Sequence, residues 1–249
     1  MAIAWLAFLD SLMAVSLIAA GVVGAHYRIF GRQLLFPYGG FQMLLMGFVL
    51  GFIAFLMGLI GIFATRKSLN PSARARAKVG TVVGLLVIIP ALWLMLTGPK
   101  VPAINDITTD FDHPPEFTHA LEINQNHGRV MKYDRAKYAD RQLRGYGPLA
   151  PLKLPDPPDE AFKTVQRTAA QMPTWTITMT DPATHTLEGF SMSNLFHFRD
   201  DFVIQVRPDA GTGSLVEMRS KSRDGIGDFG VNYKRIKDFF AAISPGSSS

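Results

Sequence analysis

Three long apolar runs near the N-terminus constrain this chain more than any other feature. They cover about residues 3–25, 41–64 and 79–96 and hold almost no charge. Each run reaches the roughly 18–20 residues needed to cross the hydrocarbon core of a bilayer. Each is predicted to be a transmembrane helix, because backbone groups in lipid must satisfy their hydrogen bonds within the segment. The first run could also be a cleaved signal peptide, but no basic residue precedes it and it exceeds the usual length, so an uncleaved anchor is favoured.

The basic residues between these runs predict how the helices are oriented. The first intervening loop carries Arg28 and Arg32, and the second is richer, with Arg66, Lys67, Arg74, Arg76 and Lys78. The richer loop is expected in the cytoplasm. Three crossings then place the N-terminus in the cytoplasm and everything after Thr97 outside. In a Gram-negative cell this predicts an inner-membrane protein with a periplasmic C-terminal domain.

The charge balance and the cysteine count exclude several functions. The chain has a formal net charge of +5, and the basic residues of the membrane part account for all of it. The remaining residues have no positive excess, so nucleic acid is not an expected partner. The chain has no cysteine, which excludes disulfides, thiolate metal sites and thiol nucleophiles. The lipid bilayer is the first expected partner.

Two features inside the predicted helices raise functional questions. Asp10 lies about a third of the way across the first helix, where a carboxylate is costly and usually faces protein or marks an ion path. We favour a protonated side chain, or one bonded to Ser11 or Ser16, over an ion-conducting role. The pairs Gly47/Gly51 and Gly80/Gly84 allow helices to approach closely, either within the three-helix unit or against a partner protein.

The composition divides the chain into four parts and predicts an α+β fold. Residues 1–98 form the three-helix transmembrane part. Residues 99–158, which we call the strap, are rich in proline and are predicted to be irregular. Residues 159–243 form the soluble core, and residues 244–249 a flexible tail. The core is predicted to be a two-layer domain, in which helices cover one face of an antiparallel sheet.

The periodicity of the core supports this order of elements. "PDEAFKTVQRTAAQM" predicts an amphipathic helix with Phe162, Val165, Ala169 and Met172 on one face. "TWTITMT", "EGFSMSNLFHF", "DFVIQVRP" and "SLVEMRSKSR" predict strands, the second continuing through Phe196 and Phe198. "DFGVNYKRIKDFFAAI" predicts a last helix whose apolar stripe contains Phe229, Tyr233, Ile236, Phe240 and Ile243.

Several motifs of the soluble part together resemble one family. "INDITTDFDHPPEF" and "RDDFVIQVRPDAGTGSLVEMRSKSRDGIGDFGVNYKRIKDFF" are similar to the two ends of the domain-of-unknown-function family 1499. The likeness covers roughly residues 102–242, whereas "GFSMSNLFHF" departs from the family's more usual small-polar run. The resemblance implies a bacterial envelope domain, sometimes fused to membrane helices, and it implies no activity. The matched positions are Asn105, Asp106, Thr108, Thr109, Asp110, Pro114, Pro115, Asp200, Asp201, Ser220, Ser222, Arg223, Asp228, Gly230, Asn232, Arg235 and Ile236.

No motif predicts a specific reaction. "GIGDFG" has dinucleotide-binding spacing, but the chain ends before the further strand and the acidic residue that such a site needs. A glycine-rich turn with Asp228 capping the last helix is favoured, although the arginines nearby could hold an anion. "GFSMS" lacks the final glycine of a hydrolase elbow. His113, His119 and His127, with neighbouring carboxylates, fit no metal-ligand spacing, so no cofactor or metal is expected.

The primary hypothesis is therefore a membrane-anchored periplasmic interaction module, a non-catalytic accessory or structural subunit of an inner-membrane assembly. The alternative is a binding domain for lipid or an anionic small molecule, and an envelope enzyme is a third reading. The stretch from Pro102 to Phe117 is interpreted as a structured tie built from side-chain turns. Asp200 and Asp201 are expected to make turns and to pair with Arg219 or Arg223. The candidate ligand or partner contacts are Asn105, Asp106, Asp110, Arg219, Arg223, Asp228, Asn232 and Arg235.

Overall fold

The computed structural model describes residues 1–27 and 38–244. The chain divides into two compact units, residues 1–98 with 194–197, and residues 99–193 with 198–249. Arg28 and Arg32, as well as the predicted tail from residue 245 onward, lie outside the described residues. Three helices of the described part are long and apolar enough to cross a membrane, which makes this a membrane protein. They are α1 (Ala2–His26), α2 (Tyr38–Ala64) and α3 (Pro71–Thr97).

The start of α3 differs from the prediction. The sequence places a loop up to Lys78, whereas α3 begins at Pro71 because Asn70 caps it. The Asn70 side chain accepts hydrogen bonds from the backbone amides of Ser72 and Ala73, at 3.1 and 3.2 Å. Proline at the first position of a helix suits this start, since its missing N–H would have no partner there. The basic residues after Pro71 therefore lie on the first turns of a helix.

The glycines of the membrane helices lie where helices of the same unit touch. A Cβ added at Gly80 would lie 2.8 Å from the backbone of Ala7 in α1, and one at Gly84 would lie 2.5 Å from the Gly51 carbonyl oxygen in α2. Such distances leave no room for any side chain. The sequence left open whether the glycine pairs pack within the three-helix unit or against a partner protein. In the structure they pack within the unit.

The soluble unit is α+β, as predicted. Its sheet has six antiparallel strands in the order β1-β6-β5-β4-β3, and β2 also pairs with β6. The strands are β1 (Asp106–Thr108), β2 (Leu152–Leu154), β3 (Trp175–Asp181), β4 (Thr186–Met192), β5 (Arg199–Pro208) and β6 (Ser214–Ser222). The helices are α4 (Arg135–Tyr146), α5 (Pro158–Gln171) and α6 (Val231–Ile243).

The two faces of the sheet are covered by different parts of the chain. One face, which we call the helix face, packs Leu187, Phe202 and Ile204 against α5 and α6 in the main hydrophobic core. The opposite face, called the strap face, packs Val203 against Phe117 and Met131 of the strap. Neighbouring residues of a strand point to opposite faces. The polar strand residues that alternate with the apolar residues of the helix face therefore lie beneath the strap.

Two predictions about the elements were wrong, and a third was right only in part. The strap is not irregular throughout, because it contains α4, β1, β2 and two 3₁₀ turns at His119–Leu121 and Asn124–Asn126. β4 ends at Met192, and a turn replaces the predicted strand through Phe198. In α6 the predicted Ile236 is buried, and the predicted Tyr233, Phe240 and Ile243 pack against the core. The buried residues also include Asn232, Arg235 and Phe239, whereas the predicted Phe229 is exposed. Asn232 and Arg235 face the sheet because they are hydrogen-bonded to Ser222 and Ser220 of β6.

Candidate functional site

Asp106 lies in a fully buried ion cluster and not at an open site. Arg219 donates from Nε to its Oδ1 at 2.9 Å and from Nη2 to its Oδ2 at 2.8 Å, and Lys221 donates from Nζ to Oδ2 at 2.9 Å. Asp106 and Arg219 both have 0 % exposure. The guanidinium also donates to the Met131 carbonyl at 2.7 Å and lies over the Phe117 ring. This cluster joins β1, β6 and the strap, which is a structural role.

Asp201 forms a second buried cluster on the same face. Arg223 donates to both carboxylate oxygens of Asp201, with its Nε 3.0 Å from each. The Asn126 amide donates to Oδ2 at 3.0 Å, and an Arg129 nitrogen lies 3.7 Å from that oxygen. Burial lowers the pKa of Arg129, although the Asp201 charge opposes this. The predicted pairing of Asp201 with an arginine of the next strand is confirmed.

On the helix face, α6 is bonded to the sheet through a third polar group. Arg235 donates to Asp200 at 2.6 Å and to the Ser220 hydroxyl at 2.8 Å. The side-chain amide of Asn232 donates to the Ser222 hydroxyl at 2.9 Å. Asp200 therefore pairs with the last helix and not with the predicted arginines of β6. The three predicted candidates Arg219, Arg223 and Arg235 are each paired with a carboxylate.

Asp228 caps α6, as predicted. Its Oδ1 accepts from the Gly230 amide at 2.9 Å and its Oδ2 from the Asn232 amide at 3.0 Å. Burial raises the pKa of Asp228, while these two amides act in the opposite direction. The hydrogen bonds satisfy N–H groups that have no partner within the helix. The capping role thus accounts for both carboxylate oxygens.

Asn105 and Asp110 stabilise the chain that precedes and follows β1. The Asn105 amide donates to the Gly225 carbonyl at 2.7 Å. Asp110 Oδ1 accepts from the amides of Asp112 and His113, at 2.8 and 2.9 Å, which is the predicted side-chain turn. Burial acts to raise the pKa of Asp110, but these amide hydrogen bonds and the nearby Arg207 charge together lower it.

Asp10 is half-buried in α1. The Ser11 hydroxyl donates to the Phe8 carbonyl oxygen at 2.7 Å, so its proton is committed to the helix backbone and not to Asp10. Ser and Thr side chains commonly bond to the preceding turn of a helix in this way. Of the proposed neighbours of Asp10, Ser11 is therefore not its hydrogen-bond donor, and an ion-conducting role stays the less favoured alternative.

Glu188 is an important residue that sequence analysis missed. Its carboxylate is buried on the strap face and accepts from the Thr118 amide at 2.6 Å, the His119 amide at 3.1 Å and the Ala120 amide at 2.8 Å. These are the unpaired N–H groups at the start of the first 3₁₀ turn. Glu188 thereby fixes the strap against β4. Its position in an alternating strand was the only available signal, and its partners lie about 70 residues away.

Beside this fixed strap lies an open cavity of about 550 Å³ on the strap face. One wall is the segment 112–118, and the floor is formed by β3, β4 and β5. Among its polar groups are the carboxylates of Asp112, Glu116 and Asp181 and the guanidinium of Arg207. Pro114, Met179 and Val203 add apolar surface. The stretch from Pro102 to Phe117 is therefore not only a structured tie, because part of it is also the wall of a cavity. The sequence predicted only the first role.

Arg207 is held at the edge of this cavity by two carboxylates. It is hydrogen-bonded to Glu217 and lies 3.5 Å from Asp110 Oδ2. Burial raises the pKa of Glu217, and the Arg207 charge opposes this rise. The positive charge of Arg207 is thus already balanced within the protein. Asp112 is likewise paired, with Arg135 at 2.9 Å. The carboxylates of Glu116 and Asp181 leave the cavity electronegative, so it suits a ligand that brings basic or hydrogen-bond-donating groups.

His113 and His119 lie in different surroundings. Within residues 1–27 and 38–244, no group of three or more histidine, aspartate or glutamate side chains has a geometry that could hold a metal ion. His113 lines the cavity, whereas His119 is close to Glu122 at 3.6 Å on the surface.

The fold and these contacts define the class of protein. It is a membrane protein with three N-terminal helices and an α+β domain. Many polar residues of this domain are bonded to one another, and an open cavity lies on its strap face. The chain belongs to the family described as protein of unknown function (DUF1499), which matches residues 106–243. No curated protein and no solved structure matches the chain significantly. The match covers the strap from Asp106 onward, the sheet and α6, and all the residues that line the cavity lie within it.

Proposed function

We propose that this chain is a membrane-anchored interaction module, a non-catalytic accessory subunit of an inner-membrane assembly with its α+β domain in the periplasm. One observation carries the proposal: the strap is fixed by buried ion clusters so that its segment 112–118 forms a preformed cavity against the sheet. Binding sites are commonly concave and formed in advance. The buried clusters supply rigidity, and the cavity supplies the surface for recognition.

The electrostatics of the cavity favour a basic segment of a partner protein. Glu116 and Asp181 line it, whereas the charges of Arg207 and Asp112 are balanced by Glu217 and Arg135. The cavity volume of about 550 Å³ is suited to one or two side chains of a peptide. A lysine or arginine of the partner, flanked by residues that contact Pro114 and Met179, would match both the charge and the apolar surface.

The two other hypotheses have less support in the geometry. An anionic ligand would need free cations, whereas Arg219, Arg223 and Arg235 are paired with Asp106, Asp201 and Asp200. Removing such a cation from its carboxylate to bind a ligand would leave a buried charge without a partner. An enzyme using Asp106 and Arg223 meets the same difficulty, because both side chains are buried and fully engaged.

Orientation in the membrane can be tested with cysteine labelling, since the chain has no cysteine of its own. Leu69, in the loop between α2 and α3, and Val130, in the soluble unit, are 100 % and 75 % exposed. In intact cells whose outer membrane has been made permeable, a membrane-impermeant maleimide should label Val130→Cys and leave Leu69→Cys unlabelled until the cells are lysed. The reverse pattern would show that the α+β domain faces the cytoplasm.

The role of the cavity can be tested by photocrosslinking in native membranes. A photoreactive amino acid at Gln205, which lines the cavity, should give a crosslink to one defined partner protein. The same amino acid at Lys163, an exposed residue of α5 on the other side of the sheet, is the matched control and should give none. The crosslink at Gln205 should weaken when Asp181→Asn and Glu116→Gln remove two carboxylates. A crosslink that persists in this variant would argue against charge recognition in the cavity, and equal crosslinking from both positions would refute the interaction site.

A further inference from the structure

The connection between β6 and α6 presents large apolar side chains to solvent. We call residues 225–231, with the sequence "GIGDFGV", the apolar loop; they are the end of this connection and the first residue of α6. Ile226 is 85 % exposed, Phe229 is 71 % exposed and Val231 is 49 % exposed. A single exposed apolar side chain needs no explanation, but three within one short loop are typical of a contact surface.

The loop is built to hold these side chains outward. Its central residue, Asp228, is buried, and its amide donates to the Ile104 carbonyl at 3.2 Å. Phe229 has φ +54°, a left-handed conformation that is uncommon for an aromatic residue. Such a conformation persists only where the surroundings enforce it, and it is frequent at ligand contacts. Asp228 caps α6 on the inside, so the residues on each side of it are directed to the outside.

The loop packs against the part of the chain that has just left the membrane. A Cβ added at Gly227 would lie 2.9 Å from the Cα of Ala103, and Val101 lies 3.9 Å from the corresponding position at Gly230. The third membrane helix ends at Thr97. The four residues from Thr97 to Val101 span at most about 14 Å even when fully extended. The covalent chain therefore keeps the segment that the loop contacts within about 14 Å of the end of α3.

Basic residues accompany the apolar side chains in this region. Lys100 belongs to the connecting segment, and Arg141 of α4 donates to the Ala103 carbonyl at 3.0 Å while its side chain remains exposed. Arg144 lies one helical turn further along α4. Apolar side chains flanked by lysine and arginine match a membrane surface, where the former enter the interfacial layer and the latter meet anionic headgroups.

We propose that the apolar loop is a second membrane contact, in which Ile226 and Phe229 insert into the interfacial layer of the bilayer that α1, α2 and α3 cross. The occupant of this surface is lipid, because the covalent chain keeps the segment that the loop contacts near the end of α3 and the neighbouring charges are complementary to anionic headgroups. The contact would hold the α+β domain against the membrane and limit the directions in which its cavity can face. It does not depend on the partner proposed for the cavity.

The test uses the purified full chain in vesicles of phosphatidylethanolamine and phosphatidylglycerol, with no other protein present. An environment-sensitive fluorophore is attached to Ile226→Cys or, as a second reporter, Val231→Cys. The control is Thr212→Cys, exposed in the turn at the opposite end of β6, which is nine residues long and so separates the two ends by about 27 Å. Lipids carrying a spin label near the headgroup quench only fluorophores that reach the interface.

We expect a blue shift and a loss of emission on adding spin-labelled lipid for the probes at 226 and 231, and neither change at 212. A further Phe229→Asp substitution should reduce the quenching at 226, since it removes the second inserted side chain. Water-like emission at both 226 and 231, in protein whose α+β domain resists protease as the wild type does, would overturn the proposal. Equal quenching at 212 would also overturn it, because the effect would then not be specific to the loop.

Discussion

Replacing Asp106 by alanine is expected to unfold the α+β domain or to leave it barely stable. The substitution leaves the fully buried Arg219 and the buried Lys221 without their carboxylate. Removing one partner of a buried ion pair costs about 3–5 kcal/mol, which is a large part of the total stability of an ordinary domain, about 5–15 kcal/mol. Denaturant unfolding of the full chain in detergent, followed by the emission of Trp175 in the core, measures the loss.

A matched control separates this effect from the loss of an acidic side chain in general. Asp112 also forms an ion pair, with Arg135 at 2.9 Å, but both side chains are more than half exposed. Asp112→Ala should leave stability nearly unchanged, because exposed ion pairs contribute little. If Asp106→Ala proved as stable as Asp112→Ala, the buried cluster could not be what fixes the strap to the sheet.

Replacing Gly84 by leucine is expected to disrupt the packing of the three membrane helices. Even a single Cβ at this position would lie 2.5 Å from the Gly51 carbonyl oxygen and 2.6 Å from the Phe55 amide nitrogen. Both are backbone atoms that cannot rotate away, so the helices have to separate. Overfilling a packed site typically costs about 1–3 kcal/mol, and we expect the upper end of this range. Unfolding in increasing SDS, followed by the emission of Trp5 and Trp93, measures it.

The control for this prediction lies on the same helix. Leu86 is exposed within the described unit and would face lipid, so Leu86→Ala should leave the unfolding midpoint in SDS close to the wild type. A Gly84→Leu chain that unfolds at the wild-type midpoint would mean that α2 and α3 do not approach as closely as described here. The soluble domain should remain resistant to protease in both variants, because its core contains none of these residues.

The elements that the sequence predicted well are those specified by neighbouring residues. Length and hydropathy alone predicted α1, α2 and α3, and the 3.6-residue period predicted α5 with Phe162 and Val165 buried. The turn at Asp110 and the cap at Asp228 also depend on atoms only a few residues apart. Local hydrogen bonds and a single apolar helix face depend only on residues that are close together in the sequence, so a short stretch is enough to predict them.

The elements that the sequence did not predict are stabilised by contacts with residues far away in the sequence. β1 and β2 are three residues long and exist as strands because they pair with β6. α4 has mostly polar residues and buries only Tyr138, Ala139 and Gln142, so its period was too weak to detect. The polar stripe of α6 was unexpected, since nothing near Arg235 in the sequence reveals Asp200 or Ser220 as its partners.

The sequence by itself determined that this chain has three membrane helices and that an α+β domain follows them. It also indicated which polar residues were candidates for a functional site. Only the tertiary structure decided what those residues do, because Asp106 meets Arg219 across 113 positions of chain and a carboxylate that pairs with a buried arginine cannot also bind a ligand. It likewise decided that the segment 112–118 forms a cavity wall. A cavity depends on the spatial arrangement of separate segments, and no local pattern of residues encodes that arrangement.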